Sequence, residues 1–191
     1  MKILTILGSP KKRGNTATVL ALFEEMISNQ HEVERINISN KAIKGCLGCD
    51  SCQKIDDQPG CVQKDDFMEI FDKIMTVDLI VYASPVYVWD FSAQLKALID
   101  RHYCLVKWKN RDITKYLLEG KHTALLSTCG GSGEKNADLI IEIFSREMNY
   151  LHCQMVGQYI VPFCTIPAEL GEKARKTAHL MHEDIMSSFK I

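Results

Sequence analysis

Cys46, Cys49, Cys52 and Cys61 fall within sixteen residues of a 191-residue chain that has 8 Cys in all. No other stretch concentrates side chains of comparable reactivity. Four thiolates spaced Cys-x2-Cys-x2-Cys-x8-Cys can surround one tetrahedral metal ion or one [4Fe–4S] cube. Structural zinc usually takes two separated cysteine pairs, and a compact triplet with one later cysteine fits an iron–sulfur centre better. Gly45, Gly48 and Gly60 give the backbone the tight turns such a centre needs. A disulfide framework belongs to small secreted domains with weak cores. This chain is long enough to bury a sizeable core, and the apolar run in MKILTILGSP is too short for a signal peptide. The scattered Cys104, Cys129, Cys153 and Cys164 read as small buried residues.

Three further segments carry chemical potential. Residues 8–16, GSPKKRGNT, combine small residues, hydroxyls and the cations Lys11, Lys12 and Arg13. They lead into a helix, where unpaired N–H groups and the positive end of the dipole favour a phosphate. Ser9, Lys11, Arg13, Asn15 and Thr16 are the candidate contacts. An ordinary polar turn, with Asn15 capping the helix, explains the same residues. The spacing is neither Gly-x4-Gly-Lys-Ser/Thr nor Gly-x-Gly-x2-Gly. Residues 84–92, SPVYVWDFS, place Pro85, Val86, Tyr87, Val88 and Trp89 where a flat, partly apolar ring could lie. The same aromatic residues would also suit a subunit interface. Residues 127–134, STCGGSGE, are small and polar, and their glycines let a backbone approach a ligand closely.

The elements that must position these segments alternate. Apolar or alternating runs at 2–7, 33–38, 78–83, 121–127 and 155–161 read as strands. Helical spacing covers 15–28, 65–76, 92–103, 137–151 and 168–189, with Asp65 or Asp66 capping the second helix. Parallel strands need crossovers, and right-handed crossovers cover both faces of the sheet. The expected architecture is one α/β domain spanning 1–191, a doubly wound five-stranded parallel sheet with helices on both faces. Ligands bind outside the C-terminal strand ends in such sheets, which is where the three loops fall. Residues 103–120 interrupt the rhythm, and Trp108, Tyr116, Leu117 and Leu118 there are expected to cover a neighbouring subunit.

GSPKKRGNT after the first strand resembles the phosphate loop of the flavodoxin-like NADPH-dependent FMN reductases. The run SPVYVWDFSAQLKALIDR is similar to their SPxYxxxxSAQLKxxxDR signature, and to the matching segment of flavodoxin-like quinone reductases. The cysteine motif resembles that of the iron–sulfur flavoproteins, a branch of the same superfamily with Cys-x2-Cys-x2-Cys-x4–7-Cys. The gap here is eight, and residues 60–67 also fit a wider pattern found in plain FMN reductases, a resemblance that implies instead packed thiols in a loop near the flavin with no cluster. The resemblance implies an FMN phosphate on the first loop, and Thr128, Gly130 and Gly131 at the isoalloxazine edge. It also implies a homodimer or homotetramer. Relatives often carry Gly-Asn where this chain has Trp89-Asp90, so Trp89 is expected to cover the flavin or narrow its entrance.

Lys plus Arg is 23 and Asp plus Glu is 24, a net charge of −1 that gives no electrostatic reason for nucleic acid or an anionic membrane surface. No stretch reaches the 18 or so apolar residues of a membrane span. A soluble cytoplasmic protein is expected. The leading functional reading is an FMN-dependent oxidoreductase that uses NAD(P)H to reduce a quinone, a flavin or a similar small acceptor. No side chain is assigned an acid–base role, since bound FMN carries the electrons. An electron carrier linking ferredoxin, a [4Fe–4S] cluster and FMN is the alternative, and a non-catalytic nucleotide-binding regulator a third.

Overall fold

In the computed structural model, residues 1–189 are described, and five strands hydrogen-bond in parallel. In chain order the strands are β1 (Lys2–Leu7), β2 (Glu32–Asn37), β3 (Leu79–Pro85), β4 (Val106–Lys109), β5 (Asp112–Tyr116), β6 (His122–Thr128) and β7 (Gln154–Val161). The main helices are α1 (Asn15–Ile27), α2 (Phe67–Thr76), α3 (Ala93–Ile99), α4 (Asp138–Tyr150) and α5 (Gly171–Ser188). The sheet order is β2-β1-β3-β6-β7, while β4 and β5 form a separate antiparallel pair. This is the doubly wound order of the flavodoxin-like class, whose switch point lies between β1 and β3.

Alternation along the central strands feeds two cores. Leu4, Ile6, Ile80 and Tyr82 pack with Phe71 of α2, Leu95 of α3 and Phe144 of α4. Ile3, Leu7, Leu79 and Val81 pack on the other face with Val19 and Phe23 of α1 and Met181 of α5. The period of two in the strands thus sends successive side chains into opposite layers. Within α5, Ala174, Ala178, Met181 and Ile185 are buried at intervals of four, three and four, one stripe of a helix. Among the described residues no helix is long and apolar enough to cross a membrane.

Three expectations change in detail. The helix expected over 92–103 ends at Ile99 and continues as a 3-10 turn, Asp100–Leu105. Asn15 does not cap α1. Gly14 holds that position in an extended conformation, and the Asn15 amide reaches the Cys164 carbonyl at 2.9 Å. The interruption at 103–120 contains the β4–β5 hairpin, whose Trp108 and Tyr116 are partly buried against the core of their own chain. Trp108 stacks on Tyr150 and donates its indole N–H to the Tyr150 hydroxyl at 3.1 Å, while Leu118 is buried.

Candidate functional site

The C-terminal ends of β1, β3, β6 and β7 open into a cavity of about 300 Å³. Backbone bonds hold its walls together. Gly8 N–H donates to Ala83 at 2.7 Å, Val86 N–H to Thr128 at 2.9 Å, and Cys129 N–H to Val161 at 3.0 Å. A side chain at Gly8 has no room, because its Cβ would lie 2.7 Å from Leu95 Cβ. Ser92 locks the same corner: its hydroxyl donates to the Gly8 carbonyl at 2.6 Å and accepts from Leu95 N–H at 3.3 Å.

Ten of the sequence-derived candidates line this cavity: Ser9, Lys11, Arg13, Asn15, Thr16, Pro85, Val86, Tyr87, Thr128 and Gly130. Thr16 and Thr128 share a buried hydroxyl–hydroxyl hydrogen bond at 2.7 Å, which ties the start of α1 to the end of β6. Val88, Trp89 and Gly131 are outside the lining. Val88 and Trp89 form the tip of a two-residue hairpin closed by reciprocal Tyr87–Asp90 backbone bonds at 3.0 and 3.1 Å. Both tip residues have positive φ, +50° and +64°, and they are 84% and 51% exposed. Tyr87, at the base of this hairpin, lines the cavity, and Trp89 does not. The segment Cys164, Thr165, Ile166 and Pro167 also lines it and was not singled out from the sequence. Its position after β7, at the same sheet edge as the other three loops, is the signal that would have found it.

The lining holds two cations, Lys11 and Arg13, and no Asp, Glu or His. That balance suits an anion at the start of α1, where the first N–H groups lack intrahelical acceptors. Asn15 Oδ1 is buried with no hydrogen-bond partner. A buried acceptor left unsatisfied costs about 1–3 kcal/mol, which a ligand hydroxyl would recover. Phosphate at the cations, hydroxyls at Asn15 and an apolar ring against Pro85, Val86 and Tyr87 are the parts of a flavin mononucleotide, so these residues fit FMN. Burial pushes the Cys129 and Cys164 thiols up, so both stay protonated at neutral pH.

The four clustered cysteines line a second, smaller pocket together with Arg101, Tyr103 and Cys104. Cys46 and Cys49 are exposed, Cys61 is half-buried and Cys52 is buried. Among the described residues no three His, Cys, Asp or Glu side chains gather around one ion position. A single zinc ion would draw its thiolates to about 2.3 Å from one point, whereas a cube binds each thiolate at a different corner. Four thiols lining one pocket are the donor chemistry an iron–sulfur cluster takes. The pocket's lining carries both signs, Arg101 on the buried side and Asp50, which accepts from the Tyr103 hydroxyl at 3.0 Å, on the exposed side. Arg101 is 1% exposed and donates to Cys61 Sγ at 3.2 Å, to the Lys44 carbonyl at 3.1 Å and to Asp65 Oδ2 at 2.7 Å. Burial raises the Asp65 carboxyl, but hydrogen bonds from Arg101, Lys44 N–H and Phe67 N–H outweigh it and hold the group below its ordinary value. Asp65 thus caps α2 through Phe67 N–H at 3.2 Å while it pairs with Arg101. Lys107, also 1% exposed, has no carboxylate at ion-pair distance among the described residues; it donates to the carbonyls of Cys52 at 3.0 Å and Pro59 at 3.1 Å.

Relatives share both the fold and the sequence. The NAD(P)H:quinone oxidoreductase from Methanothermobacter marburgensis superposes with a TM-score of 0.74 at 16% identity, covering 100% of this chain and 97% of that one. An FMN-dependent NADH-azoreductase from Bacillus anthracis, solved with FMN, gives 0.70 at 16% identity over 97% of this chain and 99% of that one. At such identities the likeness is one of fold. An iron-sulfur flavoprotein of Archaeoglobus fulgidus is 32% identical over 191 residues, 100% of this chain and 81% of the relative. The iron-sulfur flavoprotein of Methanosarcina thermophila is 38% identical over 133 residues, 69% of this chain and 64% of its own length. The family model described as NADPH-dependent FMN reductase matches residues 1–165, a span that includes the phosphate loop, the aromatic loop, the cysteine cluster and the start of the loop after β7. With the strand order, the cavity and the sequence in agreement, the chain belongs to the NADPH-dependent FMN reductase family.

Proposed function

We propose that the strand-end cavity binds FMN and that the chain is an NAD(P)H-dependent oxidoreductase reducing a quinone, a flavin or a similar small acceptor. One observation carries this reading: a cavity at the switch-point edge whose lining has two cations, no carboxylate and one buried acceptor without a partner. FMN, when bound, supplies the hydride and electron transfer, with NAD(P)H as the donor. The chain binds and orients. Lys11, Arg13 and the start of α1 would hold the phosphate, Ser9 and Thr16 would add hydroxyl contacts, and Asn15 would accept from the ribityl chain. Pro85, Val86, Tyr87, Thr128 and Gly130 would receive the ring. Eight free thiols suit a reducing compartment such as the cytoplasm. The exposed Val88–Trp89 tip suits a contact with a second copy of the chain.

The test is a pair of ligands. Lys11→Ala with Arg13→Ala should raise the Kd for FMN about tenfold at low salt, the loss of about 1.4 kcal/mol, and leave riboflavin binding unchanged. The difference should shrink as salt screens the exposed cations. Equal losses for FMN and riboflavin would place the phosphate elsewhere.

A second reading is favoured by the charge around the cysteines. Arg101 lines the pocket and pairs with Asp65 behind it, Asp50 lies on the pocket's exposed side, and the buried Lys107 donates to the Cys52 carbonyl with no carboxylate at ion-pair distance among the described residues. An anionic [4Fe–4S] cluster on Cys46, Cys49, Cys52 and Cys61 would sit beside these buried cations, and the chain would then exchange electrons with ferredoxin. Visible spectra and iron and acid-labile sulfide assays on anaerobically purified protein decide this. Flavin bands without iron, together with rapid NAD(P)H oxidation by a quinone, leave the reductase reading alone. A broad brown shoulder with matched iron and sulfide, and reduction by ferredoxin, supports the carrier. A colourless protein that takes up no added FMN would instead favour the non-catalytic regulator.

A further inference from the structure

The geometry points to Lys107 as a positioning residue for an iron–sulfur cluster: it closes the segment between Cys52 and Cys61 and places one uncompensated positive charge beside the thiolates. This rests on the cluster reading above. Eight residues separate the two cysteines, more than the compact motif allows. The Lys107 ammonium removes that excess length from the problem. It donates to Cys52 O at 3.0 Å and Pro59 O at 3.1 Å, so both ends of the segment meet at one atom. Gly60 completes the return. Its φ is +66°, and a Cβ there would lie 3.2 Å from the Cys52 carbonyl oxygen. Gln53 docks the start of the segment on both neighbours of Lys107, accepting from Trp108 N–H at 2.9 Å and donating to Val106 O at 3.2 Å.

Carbonyls satisfy the donors of an ammonium but do not cancel its charge. Arg101, the other buried cation, has Asp65 at 2.7 Å. Burial disfavours the charged form of Lys107, and the groups that act on it through space in the other direction are the thiols of Cys104 and Cys52 and the exposed carboxylates of Asp56 and Asp57. A buried cation without a close anion is costly, and a cluster carrying four thiolates would offset that cost. Adding one electron makes such a cluster more negative, so a nearby fixed cation favours the reduced form.

The test compares Lys107→Gln, which keeps a hydrogen-bond donor and loses the charge, with Lys107→Arg, which keeps the charge. Full-length, FMN-loaded protein is reconstituted anaerobically with ferrous iron and sulfide. Iron and sulfide content, the FMN Kd and the cluster's one-electron midpoint potential are then measured. Lys107→Gln should bind FMN like the wild type. It should either lose the cluster or hold it with a potential more negative by at least a tenfold change in the reduction equilibrium, about 59 mV. Lys107→Arg should keep both content and potential near wild type. Wild-type content and potential in Lys107→Gln would overturn the role of Lys107 and leave the cluster reading standing. Loss of FMN binding in Lys107→Gln would make Lys107 a residue of the fold and overturn the assignment. Wild-type protein that takes up neither iron nor sulfide would remove the cluster reading, and Lys107 with it.

Discussion

The strand-end cavity and the cysteine pocket belong to chain segments of opposite character. The cavity is made by loops that leave β1, β3, β6 and β7 at one edge of a parallel sheet, cross-linked by backbone bonds such as Gly8 to Ala83 and Cys129 to Val161. The cysteine segment between β2 and α2 has only two short 3-10 turns, Ile38–Asn40 and Ser51–Lys54. It is tied to the body by charged and amide side chains: Asp65 to Lys44 N–H, Arg101 to the Lys44 carbonyl, Lys107 to Cys52 and Pro59, and Gln53 to β4. A site formed by strand ends has its geometry fixed by the sheet before a ligand arrives. A site formed by side chains reaching to a loop depends on a few interactions that one substitution can remove.

The sharpest way to separate the two is Cys61→Ser. Cys61 takes a hydrogen bond from Arg101 through its sulfur, and a serine hydroxyl can still accept it. If the pockets are built independently, iron and sulfide uptake should be lost while the FMN Kd stays within about twofold, less than 0.5 kcal/mol. A parallel loss of FMN affinity, read by flavin fluorescence, would show that the cysteine segment supports the cavity.

Next in size is Gly8→Ala, which attacks the sheet-built region. The added Cβ would sit 2.7 Å from Leu95 Cβ and 3.2 Å from the Ala83 carbonyl oxygen. β1 and α3 would have to separate, at about 1–3 kcal/mol for an overpacked site. The melting temperature should fall by about 2–4 °C for each kcal/mol lost, and FMN affinity should fall with it. Unchanged melting would mean that the β1–α3 corner is softer than its Ser92 hydrogen bonds imply.

The contrast also explains what the sequence revealed. The sheet was legible because its strands are short apolar runs separated by helical spacing, and strand ends in a parallel sheet determine where a ligand goes. The phosphate loop followed from Lys11, Arg13 and the helix they precede. Cys164 through Pro167 escaped notice because no motif marks them; their role comes from β7 lying beside β6. The environment of the cysteines was not legible either. Spacing identifies Cys46, Cys49, Cys52 and Cys61 as a set, but nothing local shows that Arg101 and Lys107, dozens of residues later, fold against them. Charged residues in a sequence read as surface by default. Only the tertiary structure reveals that these two are buried.

The smallest effect concerns the hairpin tip of the strand-end region, where two adjacent residues adopt positive φ. Val88 and Trp89 occupy the centre of a two-residue hairpin at φ +50° and +64°, positions where Asn-Gly is the favoured pair. Positive φ is unfavourable for a β-branched residue, and strained residues of this kind cost on the order of 1 kcal/mol or more each. The tip is also exposed, so within one chain little packing offsets the strain. Val88→Asn with Trp89→Gly should therefore raise the melting temperature of dilute protein by about 2–4 °C, roughly 1 kcal/mol. Because neither side chain lines the cavity, KM for small and large quinones should be unchanged. If melting instead falls, and falls more at high protein concentration, the Val–Trp tip is buried against another copy of the chain. A selective gain in turnover with large quinones would return Trp89 to the entrance, where the sequence alone had placed it.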